Sequence, residues 1–279
     1  MTESKFSVVI LTLDEEINLA SCIDSLSNCQ DIVIFDSFSK DRTKAIAKGK
    51  GVRFFEREFD NYAAQRNAAM NEVEYANEWL LMLDADERLK PATINEINDF
   101  ISTSGNDYSM ARMRRKDYFN GSWLRRSSCY PTWFGRLLKK GEVRIERDVN
   151  EEYLTDGKVY HLRNHLSHFP FNKGIAWWFE RHNTYSSMEA EKAINESEIK
   201  IPFKNLFSRD PVVRRKFLKW LSFRFPFRPY FIFLYLYFIR LGVLDGVNGL
   251  RYVRMRCIYE YMIDLKISER KRREKGKEL

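Results

Sequence analysis

Short apolar runs alternate with amphipathic stretches over the first hundred positions. The runs are FSVVILT (6 to 12), DIVIFD (31 to 36), VRFFE (52 to 56) and WLLMLDAD (79 to 86). Each is rich in β-branched or aromatic residues and closes on polar or turn-forming positions, which is the pattern of buried strands. Between them EEINLASCIDSL, DRTKAIAKG and NYAAQRNAAMNEV carry helical spacing. The resulting β-α-β-α-β-α-β order predicts an α/β fold with a mostly parallel, doubly wound sheet. From Tyr108 to Tyr160, FGRLLKK and EVRIE with turns at Gly121, Gly135 and Gly141 predict further strands, and Phe171 to Ile194 predicts a helix. After Ile201 the chain turns aromatic and basic. The expected organisation is therefore an α/β domain over residues 1–200 and a helical, aromatic and basic region over 201–279.

The second and fourth runs end in aspartate, and open α/β sheets collect ligands at the carboxyl ends of their strands. Asp84-Ala85-Asp86 follows the apolar run WLLML directly. If the strand continues through it, side-chain alternation puts both carboxylates on one side, a hard oxygen pair suited to Mg²⁺ or Mn²⁺ with phosphate. A solvated turn that ends the strand is the other reading. Asp36 opens DSFSKDRT, where it can accept from a base N–H or a ribose hydroxyl, with Ser39 and Asp41 available to cap the next helix. Thr12, Asp14 and Glu15 in TLDEEINL either bind ribose or cap a helix. The chain contains neither G-x-G-x-x-G nor G-x-x-x-x-G-K-[ST], so neither a dinucleotide fold nor a P-loop is expected. HLRNHLSH gathers histidines without a complementary cysteine or carboxylate set, so structural zinc is not expected either.

SVVILTLDEEINL, DSFSKDRT, NYAAQRNAAM and LLMLDADE, in that order and spacing, resemble glycosyltransferase family 2, the GT-A fold, over residues 6 to about 170. FDNYAAQRNAAM and the tail from RFPFRPYFIFLYLYFIRLG onward resemble bacterial lipopolysaccharide-core β-glucosyltransferases. The resemblance implies an inverting transfer of glucose or a similar hexose from a UDP-sugar, UDP-glucose first, to a lipid-linked core oligosaccharide. It implies Thr12 and Glu15 near the nucleoside, Asp36 at the uracil or ribose, and Asp84 and Asp86 serving metal and diphosphate. Gln65 and Arg66 match the family's Q-R/K-N helix start, with Arg66 either reaching a phosphate or remaining a solvated charge. The family's Val-His-Glu aligns with Val149-Asn150-Glu151 and implies Glu151 as the base; Asn150 replaces the histidine, which leaves Asp148 and Glu152 as alternatives. His168 resembles a histidine that some members place near the metal, the alternative being a core histidine.

Charge adds a partner. Positions 201–279 carry 19 basic and 7 acidic residues, a net of +12, while the first 200 carry 28 against 32, a net of −4. Thirteen aromatics lie between Phe203 and Phe238 among those cations. Interfacial aromatics with cations suit an anionic membrane surface. Stacking on RNA is the competing reading, disfavoured by one nearly continuous apolar run, so no nucleic acid partner is expected. That run, Tyr230 to Ile239, has ten residues before Arg240, about half of what a span requires, so no crossing is expected. Packing of this run on the catalytic domain is a third possibility. MTESKFSVVILTLDEE lacks a basic n-region, and the four scattered cysteines read as reduced thiols. The expected location is cytoplasmic, peripheral on the inner face of the inner membrane. A non-catalytic membrane- or RNA-binding protein on a nucleotide-binding fold is the alternative from another class.

Overall fold

The computed structural model describes residues 4–26, 28–146, 152–195, 202–207, 217, 220–221 and 227–278. The chain forms two compact units, Met1–Tyr118 with Tyr130–Asn172, and Phe119–Cys129 with Lys173–Leu279.

In the first unit β1 (Phe6–Thr12), β2 (Ile32–Asp36), β3 (Arg53–Glu56) and β4 (Trp79–Asp84) pair in parallel, in the order β3-β2-β1-β4. Three connections carry helices, α1 (Leu19–Asp24), α2 (Thr43–Gly49) and α3 (Tyr62–Asn71). β1, β2 and β4 are covered on both faces and so are apolar on both sides, whereas the edge strand β3 is mostly exposed. Val8 and Ile10 of β1, Ile34 of β2 and Leu81 and Leu83 of β4 join one core cluster. Val9, Val33, Leu80 and Met82 join the other. Strand alternation thus divides each apolar run between two cores. This is the mostly parallel α/β sheet expected from the sequence.

Beyond β4 the sheet changes direction. A two-residue strand, β5 (Glu87–Arg88), and α4 (Pro91–Ser104) follow in the chain, then β6 (Met110–Phe119). After the short β7 (Ser122–Trp123) of the second unit come β8 (Trp133–Lys139), β9 (Arg144–Glu146), β10 (Glu152–Leu154) and β11 (Val159–His168). β8 is antiparallel to both β4 and β6, β11 is parallel to β6, and β5 closes the edge antiparallel to β11. β9 and β10 form a separate antiparallel pair. The predicted strands in FGRLLKK and EVRIE are β8 and β9.

Helix α1 starts four residues later than the spacing of EEINLASCIDSL suggests. Loop chemistry is the reason: the N–H groups of Asp14, Glu15 and Glu16 donate to Ser39 Oγ, Thr43 Oγ1 and Asp41 Oδ2 at 2.8, 2.8 and 2.9 Å. In return the N–H groups of Lys40 and Arg42 donate to Asp14 Oδ1 and Glu16 Oε2 at 2.7 and 3.1 Å. The polar residues after β1 and β2 therefore stitch two loops together at the carboxyl ends of the strands, and α1 begins only after them.

In the second unit α5 (Ile175–Asn195) packs on the 29-residue α7 (Gly246–Glu274). Lys266 Nζ of α7 donates to Asn183 O, Ser186 Oγ and Ser187 Oγ of α5 at 2.5, 2.8 and 2.7 Å. The helix expected just before a boundary near residue 200 thus packs with the C-terminal helices. α6 (Arg228–Leu234) continues into a π-helical turn over Tyr235–Ile239 and a 3₁₀ turn over Gly242–Asp245. Arg228, buried at the start of α6, pairs with Glu260 and, at 3.6 Å, with Asp264 of α7. Among the described residues no single helix is long and apolar enough to cross a membrane.

Candidate active site

The expected donor-site residues lie along one edge of the parallel sheet. Thr12 ends β1 and pairs in register with Asp36 at the end of β2, while Leu11 pairs with Asp84 at the end of β4. Thr12 Oγ1 donates to Asp36 Oδ1 at 2.6 Å, and Ser39 donates through its N–H to Asp36 Oδ2 at 2.7 Å and through Oγ to Oδ1 at 2.6 Å. Asp36 is fully buried and organises the loop after its strand. Glu15 accepts from Asn18 Nδ2 at 2.9 Å. Ser39 reaches back to Asp36, and Asp41 Oδ1 accepts from the Thr43 N–H at 2.9 Å at the start of α2.

Asp84 and Asp86 diverge. β4 ends at Asp84, and Ala85-Asp86 form a turn, so strand alternation no longer governs where the second carboxylate points. Asp84 is gripped on both oxygens, by Arg66 Nη2 at 2.6 Å and Arg136 Nη2 at 2.7 Å. Burial works against its charge, but Arg66 and Arg136 outweigh burial and hold the carboxyl far below the ordinary range. Arg66 lies on α3, whose start is capped by Asn61 Oδ1 accepting from the Ala64 N–H at 2.8 Å. Neighbouring Gln65 accepts from Arg57 Nη1 at 2.8 Å and donates to Ser37 Oγ at 3.1 Å. Arg66 is therefore buried and ion-paired rather than a solvated helix charge.

Asp86 faces His168 instead. His168 Nε2 lies 3.3 Å from Asp86 Oδ2, and His168 Nδ1 lies 2.6 Å from Asp117 Oδ1. The other Asp86 oxygen, Oδ1, is buried with no hydrogen-bond partner among the described residues. Burial and the nearby Arg115 act to deprotonate the His168 ring, yet the two flanking carboxylates prevail and raise it to about 9. Burial likewise acts to raise Asp86, and the His168 cation outweighs it, leaving that carboxyl lowered.

Four residues that sequence reasoning missed complete the arrangement: Glu87, Arg115, Asp117 and Arg136. Arg136 Nη2 also lies 2.7 Å from Glu87 Oε1, Arg115 Nη1 lies 4.0 Å from that same oxygen, and Arg115 Nε lies 3.0 Å from Asp117 Oδ1. Arg66, Asp84, Arg136, Glu87, Arg115, Asp117, His168 and Asp86 thus form a chain of alternating charge across β4, β5, β6, β8, β11 and α3. A basic residue inside the apolar run FGRLLKK and the i, i+2 pair Arg115/Asp117 were the available signals. Glu151 and Asp148, the base candidates, lie outside the described residues, as do Val149 and Asn150.

A carboxylate oxygen sealed from water and left unpartnered is costly unless a cation reaches it. Asp86 Oδ1, with His168 beside the same carboxylate, fits a divalent cation that takes its remaining ligands from phosphate oxygens. Among the described residues no three His, Cys, Asp or Glu side chains converge as a complete metal set.

A model of glycosyl transferase family 2 matches residues 7–167, which spans every residue of this charge chain except His168, one position beyond. The chain belongs to glycosyl transferase family 2. It is 26% identical over 276 residues to a lipopolysaccharide core biosynthesis glycosyltransferase, LpsC, of Rhizobium meliloti, covering 95% of this chain and 92% of that protein. An uncharacterized glycosyltransferase of Rickettsia felis is 25% identical over 264 residues, covering 90% of this chain and 89% of its own length. Among solved structures, S. aureus TarS in complex with UDP-GlcNAc aligns over 98% of this chain and 92% of its own, with 13% identity and a TM-score of 0.45. Glucosyl-3-phosphoglycerate synthase from Mycobacterium tuberculosis, in complex with Mn²⁺, UDP and glucosyl-3-phosphoglycerate, aligns over 42% of this chain and 45% of its own, with 20% identity and a TM-score of 0.34. As a family 2 glycosyltransferase the protein is an enzyme that transfers a sugar; the family match takes in most of the first unit together with the Phe119–Cys129 segment of the second.

Proposed function

We propose that this glycosyltransferase moves a hexose, glucose first among candidates, from a UDP-sugar to a lipopolysaccharide-core or related lipid-linked saccharide, with inversion. The observation that carries the reading is the unpartnered Asp86 oxygen beside His168, at the strand mouth of a family 2 chain. In this reading Asp86 and His168 hold Mg²⁺ or Mn²⁺, and Asp84 keeps Arg66 and Arg136 in place at the edge of that site. A bound divalent cation would offset the charge that develops on the leaving diphosphate. Thr12, Glu15 and Asp36 line the neighbouring strand ends and serve the nucleoside. Glu151, or Asp148, removes the acceptor proton. The acceptor class is supported by similarity to LpsC, whose name places it in lipopolysaccharide core biosynthesis. A lipid-linked acceptor puts the enzyme at the cytoplasmic face of the inner membrane as a peripheral protein.

A donor screen tests this. Purified protein is incubated with Mn²⁺ and each UDP-sugar, with and without a lipid-linked core acceptor, and UDP release is followed. Metal-dependent release confined to UDP-glucose and stimulated by the acceptor is expected. Turnover only with a nucleotide-sugar that lacks uridine, or acceptor stimulation only by a saccharide free of lipid, overturns the corresponding part of the proposal.

A further inference from the structure

From Pro229 to Val247 the chain carries one cation, Arg240, and one acid, Asp245. Within this stretch Tyr230, Phe231, Phe238, Ile239, Leu244 and Val247 are each at least 54% exposed. A contiguous run of large apolar side chains at this exposure is uncommon on a water-facing surface and marks an interaction site. We infer that this stretch is a re-entrant hairpin that enters one leaflet of an anionic bilayer and turns back without crossing it. The inference deepens the membrane-linked acceptor reading and rests on it.

Four observations favour lipid as the occupant. The first is backbone satisfaction, which hydrocarbon demands because it offers no water. Within the reversal the N–H groups of Arg240, Leu241 and Leu244 reach Tyr235 O, Phe238 O and Leu241 O at 2.8, 3.1 and 3.0 Å. The second is length. Arg228–Ile239 and Gly242–Glu274 together have the apolarity of a span but are bent by 75° at the break. Twelve helical residues reach only about 18 Å, against about 30 Å of hydrocarbon.

The third is charge. Asp245 Oδ2 accepts from the Arg126 N–H, the Ser127 N–H and Ser127 Oγ at 2.9, 2.7 and 2.7 Å, so the one acid of the hairpin is turned inward. Arg251 and Arg254, exposed on α7 just past Val247, are placed to meet anionic headgroups. The fourth is the hairpin's fixed base. Arg228 is tied to Glu260 and Asp264, so the apolar stretch starts from a braced root. Tyrosines at 230, 235 and 237 add side chains suited to the headgroup boundary.

The test is flotation of the full chain with vesicles of phosphatidylethanolamine and phosphatidylglycerol, in low and high salt. Wild type is expected to float in both, because apolar insertion survives screening of the headgroup attraction. The triple variant Phe238→Ser, Ile239→Ser, Leu244→Ser is expected to float at least ~10-fold less in high salt. Leu244→Asp alone, at a position 68% exposed, is expected to lose binding in the same direction and guards against misfolding of the triple variant. Wild type that stays in solution overturns the inference, including the case where sedimentation shows the patch buried between two copies of the chain. Variants that float like wild type overturn it too. UDP release without vesicles is measured in parallel: its loss in wild type sinks the donor reading alone, and its retention in the variants separates the surface from the chemistry.

Discussion

His168 Nδ1 sits 2.6 Å from Asp117 Oδ1, while Nε2 of the same ring faces Asp86 at 3.3 Å. A ring held through one nitrogen by a carboxylate presents the other nitrogen in a fixed direction, and such partners tune metal ligands. With His168 as the proposed metal ligand, Asp117 takes the part of a positioning residue. Asp117→Ala is expected to weaken Mn²⁺ binding about 10- to 100-fold, measured by calorimetry on the protein without donor. An unchanged Mn²⁺ affinity would remove Asp117 from the site.

The same ring predicts a pH dependence. His168 is raised to about 9, above its ordinary 6.5, so its folded-state proton stabilises the protein fully below pH 6.5 and is lost as pH rises through about 9. Without metal, the midpoint of thermal unfolding is expected to fall between pH 7 and pH 9.5. Mn²⁺ needs the neutral ring, so its affinity should rise over the same range, by up to about tenfold per pH unit. His168→Gln should flatten both trends; a metal affinity that weakens with rising pH contradicts the assignment.

Arg136 is 3% exposed and neutralises two carboxylates at once, Asp84 and the fully buried Glu87. Burial raises Glu87 even with Arg136 beside it, so this carboxylate depends on its partner. Arg136→Met should cost about 3–5 kcal/mol in urea unfolding, since it leaves an uncompensated buried charge. Adding Glu87→Gln should recover part of that loss. A single variant within about 1 kcal/mol of wild type would mean that water or a cation reaches Glu87 readily.

The parallel half of the sheet was legible because β1, β2 and β4 are apolar on both faces and end in polar or turn residues, so periodicity and length sufficed. Asp36, Asp84 and Asp86 were legible for the same reason, as polar residues closing apolar runs. Their side-chain destinations were not. Treating Asp84 and Asp86 as neighbours on one strand face assumed a strand that continues, whereas β4 ends at Asp84 and the next two residues turn. Arg136, Glu87, Arg115 and Asp117 escaped because each gains meaning from distant positions. Arg136 meets Asp84 and Glu87 across 52 and 49 residues, and Asp117 meets His168 across 51. Such partners follow from strand order, which local pattern does not specify. The helix over Phe171 to Ile194 was readable in sequence, but the packing of α5 on α7 depends on groups such as Lys266 and Asn183 that look like ordinary solvated residues in sequence.

Gly249 supplies a last prediction, in the second unit. A Cβ placed on it would lie 2.5 Å from Gly242 O and 2.7 Å from Asp245 Cβ, both too close for real atoms. Gly242 makes the matching demand, with Leu236 O 2.5 Å from where its own Cβ would lie. The first turn of α7 thus meets the backbone of the preceding 3₁₀ turn, and only hydrogen fits at either glycine. In an open helix, alanine would gain up to ~1 kcal/mol over glycine. Here the contact is with backbone, which cannot swing aside as a side chain can. Gly249→Ala is therefore expected to destabilise by about 1–3 kcal/mol, the usual range for overpacking. Gly276→Ala, with nothing within 4 Å but a φ of +64°, serves as a comparison in which only local backbone strain is added. Hydrogen exchange across α7 locates the effect: faster exchange centred on residues 242–255 in the Gly249 variant supports the contact, and an unfolding midpoint equal to wild type would disprove it.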